Sequence, residues 1–266
     1  MPKQIKIIFC DVDWTIYDHS NGKHVLDFAS IEALNKMHDL GVKIAICTAR
    51  SYNSLFYINI LDYLKADAVI ASNGYIITVG NDVIYRYEIE QDKYLAICDL
   101  CFKNNINLEI VEDFHCSLLK EVDQKVKDYY AIYDEEMPNV EIDYKNKKPV
   151  SLLLFSSEED DKNIIPFMPQ GIKYYRFFPT GVDLTSLDNP KDKGQAVRKV
   201  LDYYHFKKED AISFGDDYGD IPMFIETGIS YVLSNAPIEV KNKANVVIDN
   251  VSNHGVKQAL EKYYLK

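Results

Sequence analysis

Residues 5–15 read Ile5-Lys6-Ile7-Ile8-Phe9-Cys10-Asp11-Val12-Asp13-Trp14-Thr15. A short apolar, β-branched run stops at two acids. Ile5 to Phe9 has the content of a buried strand, so Asp11 and Asp13 fall just past its carboxyl end. Working outward, apolar residues at 28, 31, 34 and 37 predict a helix over Asp27 to Leu40, which Gly41 stops. Val42 to Cys47 reads as a second strand, Tyr52 to Leu64 as a helix, and Ala68 to Ala71 as a third strand ending in the turn Ser72-Asn73-Gly74. The order β-α-β-α-β is that of a parallel sheet.

The rhythm changes after Gly74. Tyr75 to Val79 and Val83 to Tyr87 flank Gly80-Asn81-Asp82 as a hairpin. Helical patterns over Gln91 to Lys103 and Glu121 to Tyr133 then mix with strand-like Asn107 to Val111, Cys116 to Leu119, Val150 to Phe155 and Lys173 to Phe178, which predicts an α+β insert. From Lys193 the alternation resumes: helix to Tyr204, strand Ala211 to Phe214, helix Ile221 to Glu226, strands Ile229 to Leu233 and Val246 to Ile248, and a helix from Asn253. The expected organisation is an α/β core made of residues 1–78 and 189–266, interrupted by an α+β domain over 79–188.

Composition narrows the function. The 266 residues are 47% apolar and 27% charged, as in ordinary globular domains. With 41 acidic residues against 30 Lys and Arg, the formal charge is -11, the wrong sign for tracking nucleic acid or anionic lipid. No nucleic-acid partner and no membrane partner are expected; a phosphorylated metabolite stays open if cation is concentrated at one point. Five cysteines form no regular framework, and the N-terminal apolar run is too short for a signal peptide, so a cytoplasmic location is expected. Cys98 and Cys101 share one apolar helix face and read as buried packing.

In an open parallel sheet, ligands gather outside the carboxyl ends of the strands. Four such places carry chemistry here: Asp11-Val12-Asp13-Trp14-Thr15, then Thr48, then Lys193 at the start of the resuming helix, then Gly215-Asp216-Asp217-Tyr218-Gly219-Asp220. They supply acids, a hydroxyl and one cation. Loop carboxylates are commonly solvated turn formers. Two acidic clusters that each end an apolar strand, however, repel one another unless a cation sits between them, and Mg2+ suits an all-oxygen, partly hydrated site. Thr48 also reads as a cap of the following segment, Lys191 competes with Lys193, and Asp217 either aids the metal site or braces its loop.

The order Asp11-x-Asp13-x-Thr15, Thr48, Lys193 and Gly215-Asp216-Asp217-x-x-Asp220 resembles the four motifs of the haloacid dehalogenase (HAD) superfamily over nearly the whole chain. The insert after the third strand, the Ser72-Asn73-Gly74 turn before it and Lys193-Gly194 after it are similar to the Cof-type phosphatases with a C2 cap. The resemblance implies a Rossmann-like parallel-sheet core with an inserted α+β, C2-type cap. It also implies a magnesium-dependent phosphatase of small phosphorylated metabolites such as sugar phosphates. By it, Asp11 attacks phosphorus to form an aspartyl-phosphate, and Asp13 protonates the leaving alcohol and later activates water. Thr48 and Lys193 bind the phosphoryl oxygens. Asp11, the backbone carbonyl of Asp13 and Asp216 hold Mg2+, with Asp220 as a further ligand or supporting partner. Asn235-Ala236 is similar to a family segment near the phosphate.

Two positions depart from that pattern: Trp14 stands where these phosphatases usually have Gly, and Gly219 where they often have Asn. The indole is expected to narrow the entrance to the site. Phosphosugar mutases and phosphotransferases use the same motifs, and a phosphate-binding protein impaired by Trp14 and Gly219 is a further alternative. A signalling receiver module also takes phosphate on a strand-end Asp but does not need the insert. Arg176 reads as a solvated or paired surface residue rather than a group reaching a substrate anion, and the pairs Tyr129-Tyr130 and Tyr174-Tyr175 as core packing rather than the lining of a sugar or ring pocket.

Overall fold

The computed structural model describes residues 5–133, 135–141, 143–177, 181–186 and 192–265. Phe178, Lys191 and the expected boundary at 188 and 189 lie outside the described residues. The chain begins with β1 (Ile7–Cys10), a two-stranded ribbon of β2 (Tyr17–Asp18) and β3 (Val25–Leu26), then α1 (Phe28–Asp39) and β4 (Lys43–Cys47). Two short helices follow, α2 (Tyr52–Tyr57) and α3 (Ile60–Tyr63), before β5 (Ala68–Ala71), β6 (Ile76–Val79) and β7 (Asp82–Arg86). The middle of the chain forms α4 (Gln91–Lys103), β8 (Asn107–Val111), β9 (Cys116–Leu118), α5 (Gln124–Tyr133), β10 (Ser151–Phe155), α6 (Glu158–Ile164), β11 (Ile172–Phe177) and β12 (Gly181–Ser186). The last part is α7 (Lys193–Tyr203), β13 (Ala211–Gly215), α8 (Ile221–Ile225), β14 (Ile229–Leu233), α9 (Ile238–Lys241), β15 (Val246–Ile248) and α10 (Gly255–Tyr263).

These elements divide into two compact units, one of Met1–Arg50, Ile58–Tyr85 and Lys191–Lys266, the other of Ser51–Tyr57 and Arg86–Pro190. The first holds an eight-stranded sheet of order β15-β14-β13-β1-β4-β5-β6-β7. Its strands β15 to β5 pair in parallel and β5 to β6 antiparallel. Because β1 is central, both of its faces are covered, and all four of its residues are fully buried. Ile7 and Phe9 point to the same side as Ala45, Cys47, Ile70 and Val232 and pack under Val197, Val200 and Leu201 of α7 and Met223 and Phe224 of α8. Each such side chain contributes about 1.5–3 kcal/mol of apolar burial. Helix α1 packs against α10 and β4. The chain leaves β1 toward β4 and β5 on one side and returns through β13 and β14 on the other, which makes the β1/β13 boundary the topological switch point.

The second unit is built on a five-stranded antiparallel sheet of order β11-β12-β10-β8-β9. One face carries Leu108, Ile110, Leu152, Leu154, Val182 and Leu184, packed with Tyr94, Ile97, Cys98 and Cys101 of α4 and Ile164 of α6. Part of the other face, Leu118, Leu153 and Phe155, packs with Val126, Tyr129 and Tyr130 of α5. Cys98 and Cys101 are therefore packing residues, as their spacing predicts. Tyr129 and Tyr130 pack in this cluster too, whereas Tyr174 and Tyr175 are exposed, against the expectation for that pair. Arg176 pairs with Asp161 at 2.7 Å.

The expected helix over 52–64 is broken. Asn59 takes a left-handed conformation (φ 55°), which interrupts the hydrogen-bond ladder and leaves α2 and α3 as separate short helices. Helix α5 begins at Gln124, three residues after the expected Glu121, because the Asp123 carboxylate accepts from Val126 N at 3.1 Å and caps it. The ribbon β2–β3, α6 and β12 are not foreseen in the sequence reading. Among the described residues, no helix is long and apolar enough to cross a membrane.

Candidate active site

The site grows from the loop after β1. Val12 O accepts from the backbone N–H groups of Thr15, Ile16 and Tyr17 at 3.2, 2.9 and 2.8 Å, and Trp14 N donates to Tyr17 O at 2.8 Å. This tight turn forces Trp14 to φ 57°, a region that costs a side-chain-bearing residue about 1–2 kcal/mol. Its indole is 40% exposed and lies 5.4 Å, ring to ring, from His19. Asp11 N donates to Phe214 O at 3.0 Å, so the end of β1 is fastened to the end of β13.

That fastening sets Asp11 beside the second acidic cluster. Asp11, Asp216 and Asp220 are all buried, and each offers an oxygen within 4.8 Å of the others. Lys193, the first residue of α7, donates to Asp11 Oδ1 at 2.5 Å and to Asp220 Oδ1 at 2.6 Å. An ammonium at a helix N-terminus works against the helix dipole, so it is the two carboxylates that hold it there. The turn after β13 brings Asp220 back to accept from Asp216 N at 2.8 Å and Asp217 N at 3.0 Å. It closes tightly over Gly215, where a Cβ would stand 2.5 Å from the Asp220 carboxyl carbon. Gly194 likewise lets α7 approach α8, since a Cβ there would stand 2.5 Å from Pro222 O.

Electrostatics make this cluster unusual. Burial, then the Asp220 charge, raise the Asp11 carboxyl to about 8 despite Lys193. Burial, then Asp11 and Asp220, raise Asp216 to about 9. Burial disfavours the Lys193 ammonium, yet Asp11 and Asp220 outweigh it and lift that group well above its usual range. Lys193 bonds two of the three acids, and ionisation of Asp11 and Asp216 is disfavoured unless further positive charge joins it.

The other expected site residues take distinct places. Asn235 donates to Asp216 Oδ2 at 3.2 Å and Thr15 donates to Asp216 Oδ1 at 3.4 Å, so both orient that carboxylate. Thr48 is fully buried at the end of β4, the strand next to β1, and its Oγ1 accepts from Arg50 N at 3.1 Å. Asp217 accepts from Tyr218 N at 2.7 Å, which braces the loop, and it is not one of the three clustered acids. A Cβ at Gly219 would meet nothing within 4 Å, so the glycine there is not required by packing.

Asp13 stands apart from the lysine cluster and has its own partners. Arg50 donates to Asp13 Oδ2 through Nε at 2.9 Å and to Oδ1 through a terminal nitrogen at 2.7 Å, and His19 Nε2 lies 2.6 Å from Oδ1. Burial acts against this charge, but Arg50 and then His19 outweigh it and hold the carboxyl well below the usual range. Arg50 and His19 escape the sequence reading. Arg50 had a signal, a cation two residues past the strand-end Thr48; His19 had none, because it reaches Asp13 only through the fold of the ribbon.

Comparison with known proteins gives the family. The profile of the family described as haloacid dehalogenase-like hydrolase matches residues 8–260. A phosphoglycolate phosphatase of Metallosphaera sedula is 25% identical over 259 residues, covering 97% of this chain and 98% of the relative. The 5-amino-6-(5-phospho-D-ribitylamino)uracil phosphatase YwtE of Bacillus subtilis is 23% identical, covering 95% of this chain and 96% of its own. The solved structure of the HAD subclass IIB sugar phosphatase BT4131 matches with a TM-score of 0.78 at 26% identity, over 98% of this chain and 100% of that one. With strand-end acids, lysine and sheet topology in the arrangement the motifs imply, and with the family profile spanning nearly its full length, the chain belongs to the haloacid dehalogenase-like hydrolases.

Proposed function

We propose that this protein is a magnesium-dependent phosphatase that hydrolyses small phosphomonoesters, sugar phosphates or similar metabolites, through an aspartyl-phosphate on Asp11. The observation that carries the reading is the buried set of Asp11, Asp216 and Asp220 around the single ammonium of Lys193. The donors are all oxygens, and a hard divalent cation favours the ionised carboxylates that burial and mutual repulsion disfavour. Asp11, Asp216 and the Asp13 carbonyl would hold the ion, with Asp220, which accepts from Lys193 and from the backbone N–H groups of Asp216 and Asp217, as a further ligand or supporting partner. Bound there, Mg2+ supplies charge neutralisation for the phosphoryl oxygens and keeps Asp11 ionised.

The chain's own groups account for the remaining steps. The Asp11 carboxylate attacks phosphorus while the P–O bond to the alcohol breaks; Asp13, which Arg50 and His19 hold ionised in the free protein, takes up a proton as the anionic ester binds beside it and delivers that proton to the departing oxygen. Asp13 then accepts a proton from the water that opens the acyl-phosphate, releasing inorganic phosphate and restoring Asp11. Lys193 and the Thr48 hydroxyl bind the equatorial oxygens, where negative charge develops. Asn235 keeps Asp216 in place. The second unit, Ser51–Tyr57 with Arg86–Pro190, stands for the family's cap, the part expected to set substrate choice; the expected start at 79 falls too early, because β7 joins the sheet of the first unit. The substrate class is supported by relatives whose names specify phosphoglycolate, a ribityl phosphate and sugar phosphate. The net charge of -11 fits a small soluble substrate better than a polyanion, and five buried free thiols fit a reducing cytoplasm.

The test is a panel of sugar phosphates, phosphoglycolate, flavin mononucleotide and pyridoxal phosphate, assayed for free phosphate with Mg2+ or with EDTA. Phosphate release that needs Mg2+ and disappears in Asp11→Asn is expected. Full activity in Asp11→Asn would refute the mechanism, and transfer to a second sugar without phosphate release would make the enzyme a mutase.

A further inference from the structure

The Asp13 carboxylate sits in a built cage. Arg50 spans both of its oxygens, His19 Nε2 adds a contact to Oδ1 at 2.6 Å, and His19 Nδ1 lies 3.2 Å from His24 Nδ1. Two facing imidazole nitrogens make a hydrogen bond only if one carries a proton and the other does not. With His19 Nε2–H committed to the carboxylate, His24 completes the bond on the far side and locks the ring orientation of His19. Aromatic contacts confine the ring further: Tyr17 at 4.9 Å, His24 at 5.2 Å and Trp14 at 5.4 Å between centroids. Arg50 in turn lies over the Tyr17 ring at 5.0 Å.

The backbone that carries these histidines is itself anchored. His19 follows β2 and His24 precedes β3, and the turn between them is held by Asp18, which accepts from Ser20 N at 2.9 Å and from Ser252 Oγ at 2.9 Å. Ser20 and Ser252 hydroxyls meet at 2.8 Å. The ribbon is thus tied to the turn before α10.

We infer that His19 is a positioning residue of the active site: supported by His24 and the β2–β3 ribbon, it fixes, together with Arg50, the orientation in which Asp13 handles protons. The cage makes the two carboxylate oxygens inequivalent, since Oδ1 accepts from both Arg50 and His19 and Oδ2 from Arg50 Nε alone. The inference rests on the acid–base reading of Asp13, and the experiment separates the two.

Full-length wild type, His19→Ala, His19→Gln, His24→Ala and Asp13→Asn are compared with Mg2+ on two probes, para-nitrophenyl phosphate and β-glycerophosphate. The nitrophenol leaves without help, whereas the glycerol alkoxide needs a proton from an acid. For His19→Ala we expect kcat on β-glycerophosphate to fall about tenfold or more, a smaller fall on the nitrophenyl ester, and KM within about twofold on both. His19→Gln, whose amide N–H reaches about as far as Nε2, recovers most of the loss. His24→Ala falls in between. If Asp13→Asn loses activity on β-glycerophosphate but His19→Ala does not, the inference fails and the acid–base reading stands. If Asp13→Asn matches wild type on both probes, that reading fails and the inference falls with it. Equal losses on both probes, with a lowered melting temperature and no recovery in His19→Gln, would make His19 merely structural and overturn the proposal.

Discussion

Asp216 shows how one side chain ties electrostatics to use. Its carboxyl is pushed up to about 9 by burial and by Asp11 and Asp220, and Thr15 and Asn235 hold it all the same. A group kept where its charge is disfavoured costs stability, and such costs concentrate at working sites. Replacing Asp216 with Asn removes one like charge from the cluster and keeps the size of the side chain. In EDTA the variant is expected to melt higher than wild type. Wild type gains from Mg2+ by mass action, about 2.7 kcal/mol at a hundredfold excess over Kd, and the variant loses that gain along with phosphatase activity. Thermal denaturation with and without Mg2+ measures both effects, and an undiminished Mg2+ shift in Asp216→Asn would argue against this metal site. The acids themselves were legible in the sequence because each ends an apolar run. Their charge states were not, since those depend on burial and on neighbours far away in the chain.

Helix α7 shows the same coupling one level up. Its N-cap Asp192 accepts from Gln195 N at 2.8 Å, and this fixes where the helix starts and so where Lys193 emerges. Gly194 sets how closely that first turn approaches Pro222. Gly194→Ala puts a methyl 2.5 Å from Pro222 O, so α7 must shift and carry Lys193 with it. A stability loss of about 1–3 kcal/mol is expected by urea denaturation. The loss of kcat should exceed what the unfolded fraction explains; normal kcat in the folded fraction would mean the contact serves packing alone. Most helices and strands were readable because burial imposes a period of 3.6 or 2. The reading failed at Asn59, where a left-handed residue breaks a continuous helical pattern, and at α6, whose first turn of Glu158, Glu159, Asp160 and Asp161 offers little apolar periodicity. Capping explains α6 instead: Ser157 and Asp160 bond each other's backbone N–H groups.

Across the chain, both units hold buried acids whose charge burial disfavours. In the second, Asp183 of β12 is half-buried with Ser151 Oγ donating to it at 3.2 Å, and burial raises its carboxyl to about 6. Its folded value lies above the unfolded one, so ionisation opposes folding. Its contribution is most favourable below about pH 4, and stability is lost as pH rises from there through about 6. Asp183→Asn should therefore be more stable than wild type at pH 8, by up to about 2 kcal/mol after allowing for its partial exposure, and the difference should close by pH 4. Chemical denaturation at the two pH values checks this; a gap that widens toward pH 4 contradicts it. The order of strands and helices, the insertion of one α+β segment into a parallel-sheet chain and the strand-end acids all follow from local pattern, since periodicity and turn chemistry act over a few residues. Which strands become neighbours is a non-local matter on which periodicity is silent. Only the pairing of β1 with β13 brings Thr15 to Asp216 across 201 positions and Asp11 to Lys193 across 182. The cage of Arg50, His19 and His24 around Asp13 likewise exists only once the Trp14 turn and the anchored ribbon aim those side chains, because direction at a strand end is set by backbone torsions that composition does not specify.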